Sequence, residues 1–380
     1  MVNEEGWMHA NIVIIGGGTV GAAIAYGLAG QGSDVLVLDG SDRDFRAANA
    51  NFGLVWQQGK GMDMPAYQHL TRSSLERWPD FSGELTGETD IDLHYDRAGG
   101  LVLCVGEADF EQRRTSLLRL HNQLVEGDRD WEMLDRSALE RLHPKVRFGR
   151  DVTGASLGHR DGAANPLRLL AALKTGFLRK GGRLMSNCPV RSIKQDRTGA
   201  FVIDAGDHRV TARRIVIAAG LGSKALAGQV GMNIPVRPER GQILVTERLE
   251  PVLPLPMSGL RQTREGTIMI GATHDDPGLD TSVTSDAGAA LSARAIQRVP
   301  ALAEVKLVRQ WAGLRILTPD GHPVYAQSES HPGAFVALCH SGVTLAAAHA
   351  TMLADAIADG TLPPFFTDFH QRRFDVPQAA

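Results

Sequence analysis

The feature that most constrains this chain is a run of glycines set between two different periodicities. Ile12-Val13-Ile14-Ile15 is a short, wholly apolar, β-branched run of the kind that forms a strand buried on both faces of a parallel sheet. Gly16-Gly17-Gly18-Thr19-Val20-Gly21 follows at once and matches G-x-G-x-x-G. From Thr19 to Gln31 the apolar residues Val20, Ala23, Ile24 and Leu28 recur at helical spacing, Gly32 closes the helix, and Val35-Leu36-Val37-Leu38 supplies a second buried strand. The result is a βαβ unit. In such a unit the first glycine permits the tight turn, the second lets backbone approach a pyrophosphate, and the third lets helix pack on strand. The helix N-terminus offers free N–H groups to the anion. The second strand ends in Asp39, about 20 residues on, where a carboxylate can hydrogen-bond a ribose 2′-hydroxyl and disfavours a 2′-phosphate. Gly16, Gly18, Thr19, Val20 and Asp39 are therefore the expected dinucleotide contacts.

A chain of 380 residues has room for more than one such unit. With 40 basic against 43 acidic residues and a net charge of -3, it has no surplus of positive charge to follow a phosphate backbone, which argues against nucleic acid as a partner. Its three cysteines, Cys104, Cys188 and Cys339, are far apart, which excludes a disulfide framework and any self-contained thiolate zinc or iron–sulfur site. Met1 to Ala10 is polar and acidic, unlike a signal peptide, and no run of about 18 apolar residues could span a bilayer. The expected location is the cytoplasm, with peripheral membrane association through a complex left open.

Past the βαβ unit, the Gly- and Asn-rich stretch Arg46 to Gly61 reads as a functional loop. Helices are expected over Met64 to Trp78, Asp109 to Leu124, Ser137 to Leu142 and, opened by Asn165-Pro166, over Leu167 to Leu178. Leu93 to Val105 reads as a strand pair turned at Gly99-Gly100. Strands follow at Arg183 to Met185, Val190 to Gln195, Phe201 to Asp204 and Val210 to Ala218, the last ending in Ala219-Gly220-Leu221-Gly222. Gly241 to Thr246, Gly259 to Thr263 and Thr267 to Gly271 suggest an antiparallel sheet, followed by helices at Asp286 to Arg298 and near Pro300. Strands at Val305 to Leu314 and Ala334 to Leu338 and a helix from Thr344 to Asp359 complete the pattern. The fold class is α/β, α+β overall: a Rossmann-like domain from 8–84, 145–225 and 309–375, with a mostly antiparallel domain inserted from 85–144 and 226–308.

The fingerprint alone does not choose between NAD and FAD. Strand-to-glycine turns recur at Ile215 to Gly222 and at Leu338 to Leu345, as though several loops converge on a larger ligand. Together with Asp161-Gly162, Asn165-Pro166, Pro238-Glu239-Arg240-Gly241-Gln242, Ala312-Gly313-Leu314-Arg315, Thr318-Pro319-Asp320-Gly321 and His340 to Leu345, these motifs resemble the FAD-dependent D-amino-acid oxidase family, in the branch of glycine and sarcosine oxidases. The likeness runs through nearly the whole chain in order. More narrowly, Asn51-Phe52-Gly53-Leu54-Val55-Trp56, Gln58-Gly59-Lys60-Gly61 and Ser341-Gly342-Val343-Thr344-Leu345 are similar to the catalytic B subunits of opine oxidases or dehydrogenases, hydrogen cyanide synthase and D-hydroxyproline dehydrogenase.

The resemblance implies FAD, held by the fingerprint and by Asn51, Phe52, Gly53, Leu54, Val190, Ala219, Gly220, Gly222, Gly342, Val343, Thr344 and Leu345. Two departures stand out: Ala47-Ala48 where relatives often carry hydroxyls, and Ala346-Ala347 where a proline is common. The family's substrate-carboxylate arginine falls at Arg315, whose guanidinium fork suits a carboxylate; the structural alternative is an ion pair. His340 falls near the flavin pyrimidine, as a stabiliser of charge, a substrate contact or a turn residue. His274 reads as a solvated loop residue, and Cys339 as a small buried thiol.

The implied activity is hydride transfer from the Cα–H of an amino-acid-like amine to flavin, giving an imine that water hydrolyses. Opines, D-hydroxyproline, proline-like amines and glycine all remain open as substrates. In the resembled complexes an iron–sulfur cluster and further flavin lie in partner subunits, with FMN near the contact. The alternatives are a stand-alone oxidase producing hydrogen peroxide and a noncatalytic FAD-bearing scaffold subunit.

Overall fold

The computed structural model describes residues 7–40, 47–124 and 129–375. Most of the acidic N-terminal stretch and Arg46 of the expected loop lie outside these residues. The main sheet runs in the order Val324–Gln327, Ala334–Leu338, His208–Ile217, Met8–Ile15, Val35–Leu38, Arg183–Met185, with Ser192–Gln195 and Phe201–Ala205 paired onto it. The strands from Ala334–Leu338 to Arg183–Met185 are mutually parallel; the outermost, Val324–Gln327, is antiparallel. Burial on both faces explains the continuous apolar runs. Ile12 and Ile14 enter the core beneath the first helix, Thr19–Gly30, while Val13 and Ile15 enter the opposite core with Phe201 and Ile203.

A second sheet has the order Leu260–Gln262, Thr267–Gly271, Arg237–Arg248, Leu307–Leu317, all antiparallel. Gly100–Val105, Val152–Gly158 and Trp131–Asp135 form a further antiparallel group, joined to it by a bridge between Leu101 and Met257. One core unites both groups under the helix Ser285–Arg298. Val152–Gly158 and the C-terminal part of Leu307–Leu317 pair within this assembly, so the boundaries expected at 145 and 309 cut across it.

Several elements differ from expectation for identifiable reasons. The helix expected to stop at Trp78 spans Pro65–Thr89 despite Pro79, because Phe81 and Leu85 extend the buried stripe of Leu75 and Trp78. Only Gly100–Val105 of the expected strand pair is a strand. The preceding segment goes elsewhere: Asp96 and Ala163 exchange backbone hydrogen bonds of 2.9 and 3.0 Å. Trp131–Asp135, Val152–Gly158 and Val324–Gln327 had no expected strand counterpart. The C-terminal helix starts at Ala346 and carries a wide turn over His349–Leu353 before ending at Asp359. Asn165 caps its helix as its sequence suggests, accepting from the Leu167 and Arg168 N–H groups with Pro166 in the first turn. Among the described residues no helix is long and apolar enough to cross a membrane.

Candidate active site

The fingerprint turn is built by close approach. Gly16 has φ +109°, and a Cβ there would lie 2.4 Å from the Ala218 carbonyl oxygen, so the turn can sit on the end of His208–Ile217 only as glycine. Ala219, just beyond that strand, is brought against Gly16. Gly18 heads the helix without a side-chain cap, and no acid occupies the first turn. Thr19 Oγ1 is buried beside this positive helix end with no partner among the described residues. An orphaned hydroxyl beside uncapped N–H groups fits the pyrophosphate of a dinucleotide. Asp39 closes the turn: it accepts a 3.0 Å bond from the Gly17 N–H and lies 3.4 Å from Lys174 Nζ.

The remaining predicted contacts divide into two groups. Gly342 packs close to Thr19 and Val20, joining the C-terminal motif to the fingerprint. Thr344 joins the same motif to the loop: its hydroxyl accepts from the Trp56 N–H at 3.2 Å and donates to the Leu54 carbonyl at 3.2 Å. Its carbonyl accepts from Ser74 Oγ and Trp78 Nε1. Val343 and Leu345 anchor the motif in separate cores. In the loop, Asn51 Oδ1 accepts from the Gly53 N–H at 2.8 Å, and Phe52 is half-buried. Gly220 follows in a left-handed turn, φ +59°. Val190, half-buried against the core around Ile193, and Gly222, ahead of the short helix Ser223–Gly228, are not in the contacts that join these motifs.

The antiparallel sheet supplies the charged side chains. Register pairs Glu239 with Arg315 and Gly241 with Gly313. Arg315 Nη1 donates to Glu239 Oε1 at 3.0 Å and to the Thr273 carbonyl at 2.8 Å, and its guanidinium lies beside Gly241, where a Cβ would be 2.7 Å from Nη2. His274 Nδ1 lies 2.7 Å from the same Glu239 oxygen. Arg315 is thus in the ion pair that stood as its structural alternative, yet among the described residues only its Nη1 is committed. Gly313 presses this face onto the loop, since a Cβ there would be 2.3 Å from Ala50 Cβ.

Three residues escaped sequence reasoning. Lys60 Nζ donates to Ser341 Oγ at 2.7 Å, and Ser341 Oγ lies 2.8 Å from the Tyr67 hydroxyl. Burial pushes the Lys60 ammonium down to about 8, against the pull of Cys339 and Asp161 and with help from Arg315. Lys60 stands in a quoted motif but its chemistry was unassigned; Tyr67 is one apolar-stripe residue among many in its helix. Asp161, pushed up to about 7 by burial, accepts from the Gln57 N–H at 2.5 Å and from Gln58 Nε2 at 2.7 Å. His340 is an exposed residue two positions beyond Ala334–Leu338. Its imidazole is held below the ordinary value by desolvation first, then by Lys60, Arg315 and His274, so the neutral ring is favoured. Cys339 is buried.

A glycine turn with an uncapped helix end, the loop and C-terminal motif tied together at Thr344, and a sheet face bearing Arg315 pressed onto Ala50 fit a dinucleotide redox site. The chain belongs to the DAO family of FAD-dependent oxidoreductases, whose pattern matches residues 11–356. It is similar to the B subunit of opine oxidase from Agrobacterium tumefaciens, 41% identical over 371 residues that cover 98% of this chain and 99% of that protein. It is also similar to the HcnC subunit of hydrogen cyanide synthase from Pseudomonas protegens, 28% identical over 415 residues and covering 96% of each. In fold it is like glycine oxidase from Geobacillus kaustophilus, with a TM-score of 0.86 and 23% identity over 97% of this chain and all of that one. The chain is an FAD-dependent oxidoreductase.

Proposed function

We infer that this chain is the catalytic subunit of a heteromeric dehydrogenase that oxidises the C–N bond of an opine or related N-substituted amino acid. The observation that carries the reading is Arg315, on the sheet face that Gly313 brings against Ala50 of the loop, with two guanidinium nitrogens uncommitted among the described residues. The word subunit in the names of two relatives supports the heteromeric part. FAD, held by Gly16, Gly18, Thr19 and the motif Gly342 to Leu345, would supply a two-electron acceptor.

This chain's own residues bind and orient. Arg315 takes the substrate carboxylate bidentately and thereby fixes the Cα–H. Glu239 keeps the guanidinium aimed before substrate arrives and retains His274 afterwards. Arg315 and Lys60 place positive charge beside the substrate nitrogen, which disfavours the ammonium and favours the neutral amine that can give up its Cα–H. The substrate loses two electrons and two protons as its C–N single bond becomes C=N, and water then cleaves the imine to a carbonyl compound and an amine. Neutral His340 lies within electrostatic reach of Lys60, Arg315 and His274.

Three separated, buried cysteines offer no thiolate set for an iron–sulfur cluster in this chain to carry electrons onward. The reading favours a partner, with the iron–sulfur cluster there and FMN at the contact. The test is turnover of the isolated FAD-loaded chain under air. Turnover with an artificial acceptor and little peroxide supports the dehydrogenase reading; rapid stoichiometric peroxide establishes a stand-alone oxidase instead. No reduction of flavin by any amine leaves the scaffold reading.

A further inference from the structure

Arg261 is a charge without a counter-charge. It lies in Leu260–Gln262 and is only 7% exposed. Its Nη2 donates to Met269 Sδ at 2.9 Å, a weak acceptor, while Nε is buried with no partner among the described residues. Nη1 makes no bond among those residues, and no carboxylate among them lies within ion-pair distance. Burial pushes the guanidinium down to about 10, opposed only by Glu265. Enclosing an unmatched cation is unfavourable unless a ligand with negative charge or acceptor atoms completes its surroundings.

Strand pairing fixes the direction of this side chain. Leu260 and Ile270 pair with one another and enter the core beneath Ser285–Arg298. Arg261 and its partner Met269 alternate onto the other face, which looks towards the loop. There a Cβ on Gly53 would be 3.2 Å from Arg261 Nη2. Gly53 precedes Leu54, whose carbonyl accepts from Thr344 Oγ1, and Gly342 of the same C-terminal motif packs close to Thr19. The guanidinium therefore meets the cluster of motifs to which FAD has been assigned. Arg315 shares this face of the sheet but lies three strands away, too far for one small substrate to bridge the two.

We propose that Arg261 is a flavin-tuning residue: its guanidinium lies against the flavin ring of FAD and eases the ring's reduction. A ring that takes up two electrons and one proton carries a negative charge, and an unmatched cation in a buried site stabilises that charge more than it would in water. The ring's carbonyl and nitrogen acceptors in turn satisfy the free N–H groups of Arg261, which offsets the cost of burying them. Gly53 suits the contact, because no side chain separates the loop backbone from the guanidinium. The proposal rests on the reading of Asn51 to Leu54 as a flavin contact.

The test is a dye-coupled reductive titration of the FAD-loaded full chain, its fold checked by Tm, which reads the reduction potential of the flavin without substrate. Arg261→Met is expected to lower the equilibrium constant for two-electron reduction about 10-fold or more, which is about 30 mV or more in potential, with FAD content unchanged. Arg261→Lys is expected to keep part of the effect, because it keeps the charge. An unchanged potential in a folded, FAD-loaded Arg261→Met chain overturns the proposal, as does an Arg261→Lys chain shifted as far as Arg261→Met. If Arg261→Met yields no folded holoenzyme, the equally uncharged Arg261→Gln is read in its place. Phe52→Leu tests the underlying reading separately, through the visible absorbance of bound oxidised flavin. An altered spectrum there beside an unchanged potential in Arg261→Met leaves the loop assignment standing and sinks Arg261 alone; an unaltered spectrum beside that unchanged potential refutes the loop assignment as well.

Discussion

The two sheets of this molecule present their proposed ligand groups by different means. At the C-terminal ends of the parallel sheet the groups we propose for the cofactor are backbone N–H donors and a helix end, set by glycines that permit close approach. On the antiparallel sheet the groups we propose for the substrate are long side chains, Arg315 and Glu239, set by strand register. The difference teaches where each half is vulnerable. A backbone site fails when a side chain is added, whereas a side-chain site fails when one is removed, and the two failures should separate as loss of cofactor against loss of substrate affinity.

The largest expected effect is at the turn. Gly16→Val places a side chain where even a Cβ meets Ala218 and imposes φ +109° on a β-branched residue. We expect a chain purified without flavin and destabilised by several kcal/mol, on the order of 3; a yellow, normally stable variant would break the comparison. Next is Arg315→Ala, which should retain FAD while raising the substrate requirement about 100-fold or more, seen as weaker substrate binding in anaerobic titration. Retained FAD is the point of the contrast.

Thr344→Val sits at the seam, because this hydroxyl joins the C-terminal motif to the loop through Trp56 and Leu54. Losing both bonds should cost about 1–3 kcal/mol in denaturant unfolding. A pH-dependent effect concerns Lys60. Its pKa in the fold, about 8, lies below the ordinary 10.5, so the folded chain binds fewer protons than the unfolded one between these values. Stability contributed by this group therefore rises with pH from about 8 to 10.5. Lys60→Met should flatten that rise, read as the difference in Tm between the two proteins across this interval; parallel pH profiles would contradict the assignment.

The same contrast explains what the sequence made legible. The βαβ unit was readable because G-x-G-x-x-G and Asp39 occur at fixed spacing along one continuous segment, and burial on both sheet faces leaves unbroken apolar runs such as Ile12 to Ile15. Arg315 was placed by resemblance, but its pairing with Glu239 was not foreseen, because those residues are 76 apart and only cross-strand register brings them together. Lys60 and Tyr67 meet through Ser341, more than 270 positions further on, and no local spacing encodes that. Arg261 gave no signal at all, since an arginine in a short strand normally faces solvent and only burial reveals it as unmatched.

The strand errors have a related cause. Val152–Gly158 is buried throughout most of its length yet contains Thr153, Gly154 and Ser156, so it shows neither alternation nor an apolar run. Its partners on either side, Gly100–Val105 and Trp131–Asp135, define it as a strand instead.

The central claim is that the antiparallel face presents an amine's carboxylate and Cα–H to FAD held by the parallel sheet. The most direct measurement is anaerobic mixing of the FAD-loaded full chain with N-carboxyalkyl amino acids, glycine and proline, following the visible absorbance of oxidised flavin. The account predicts rapid bleaching by an N-carboxyalkyl amino acid, slower bleaching by glycine, and loss of saturation at accessible concentrations in Arg315→Ala. Full retention of the oxidised spectrum with every amine, or identical bleaching by wild type and Arg315→Ala, would contradict it.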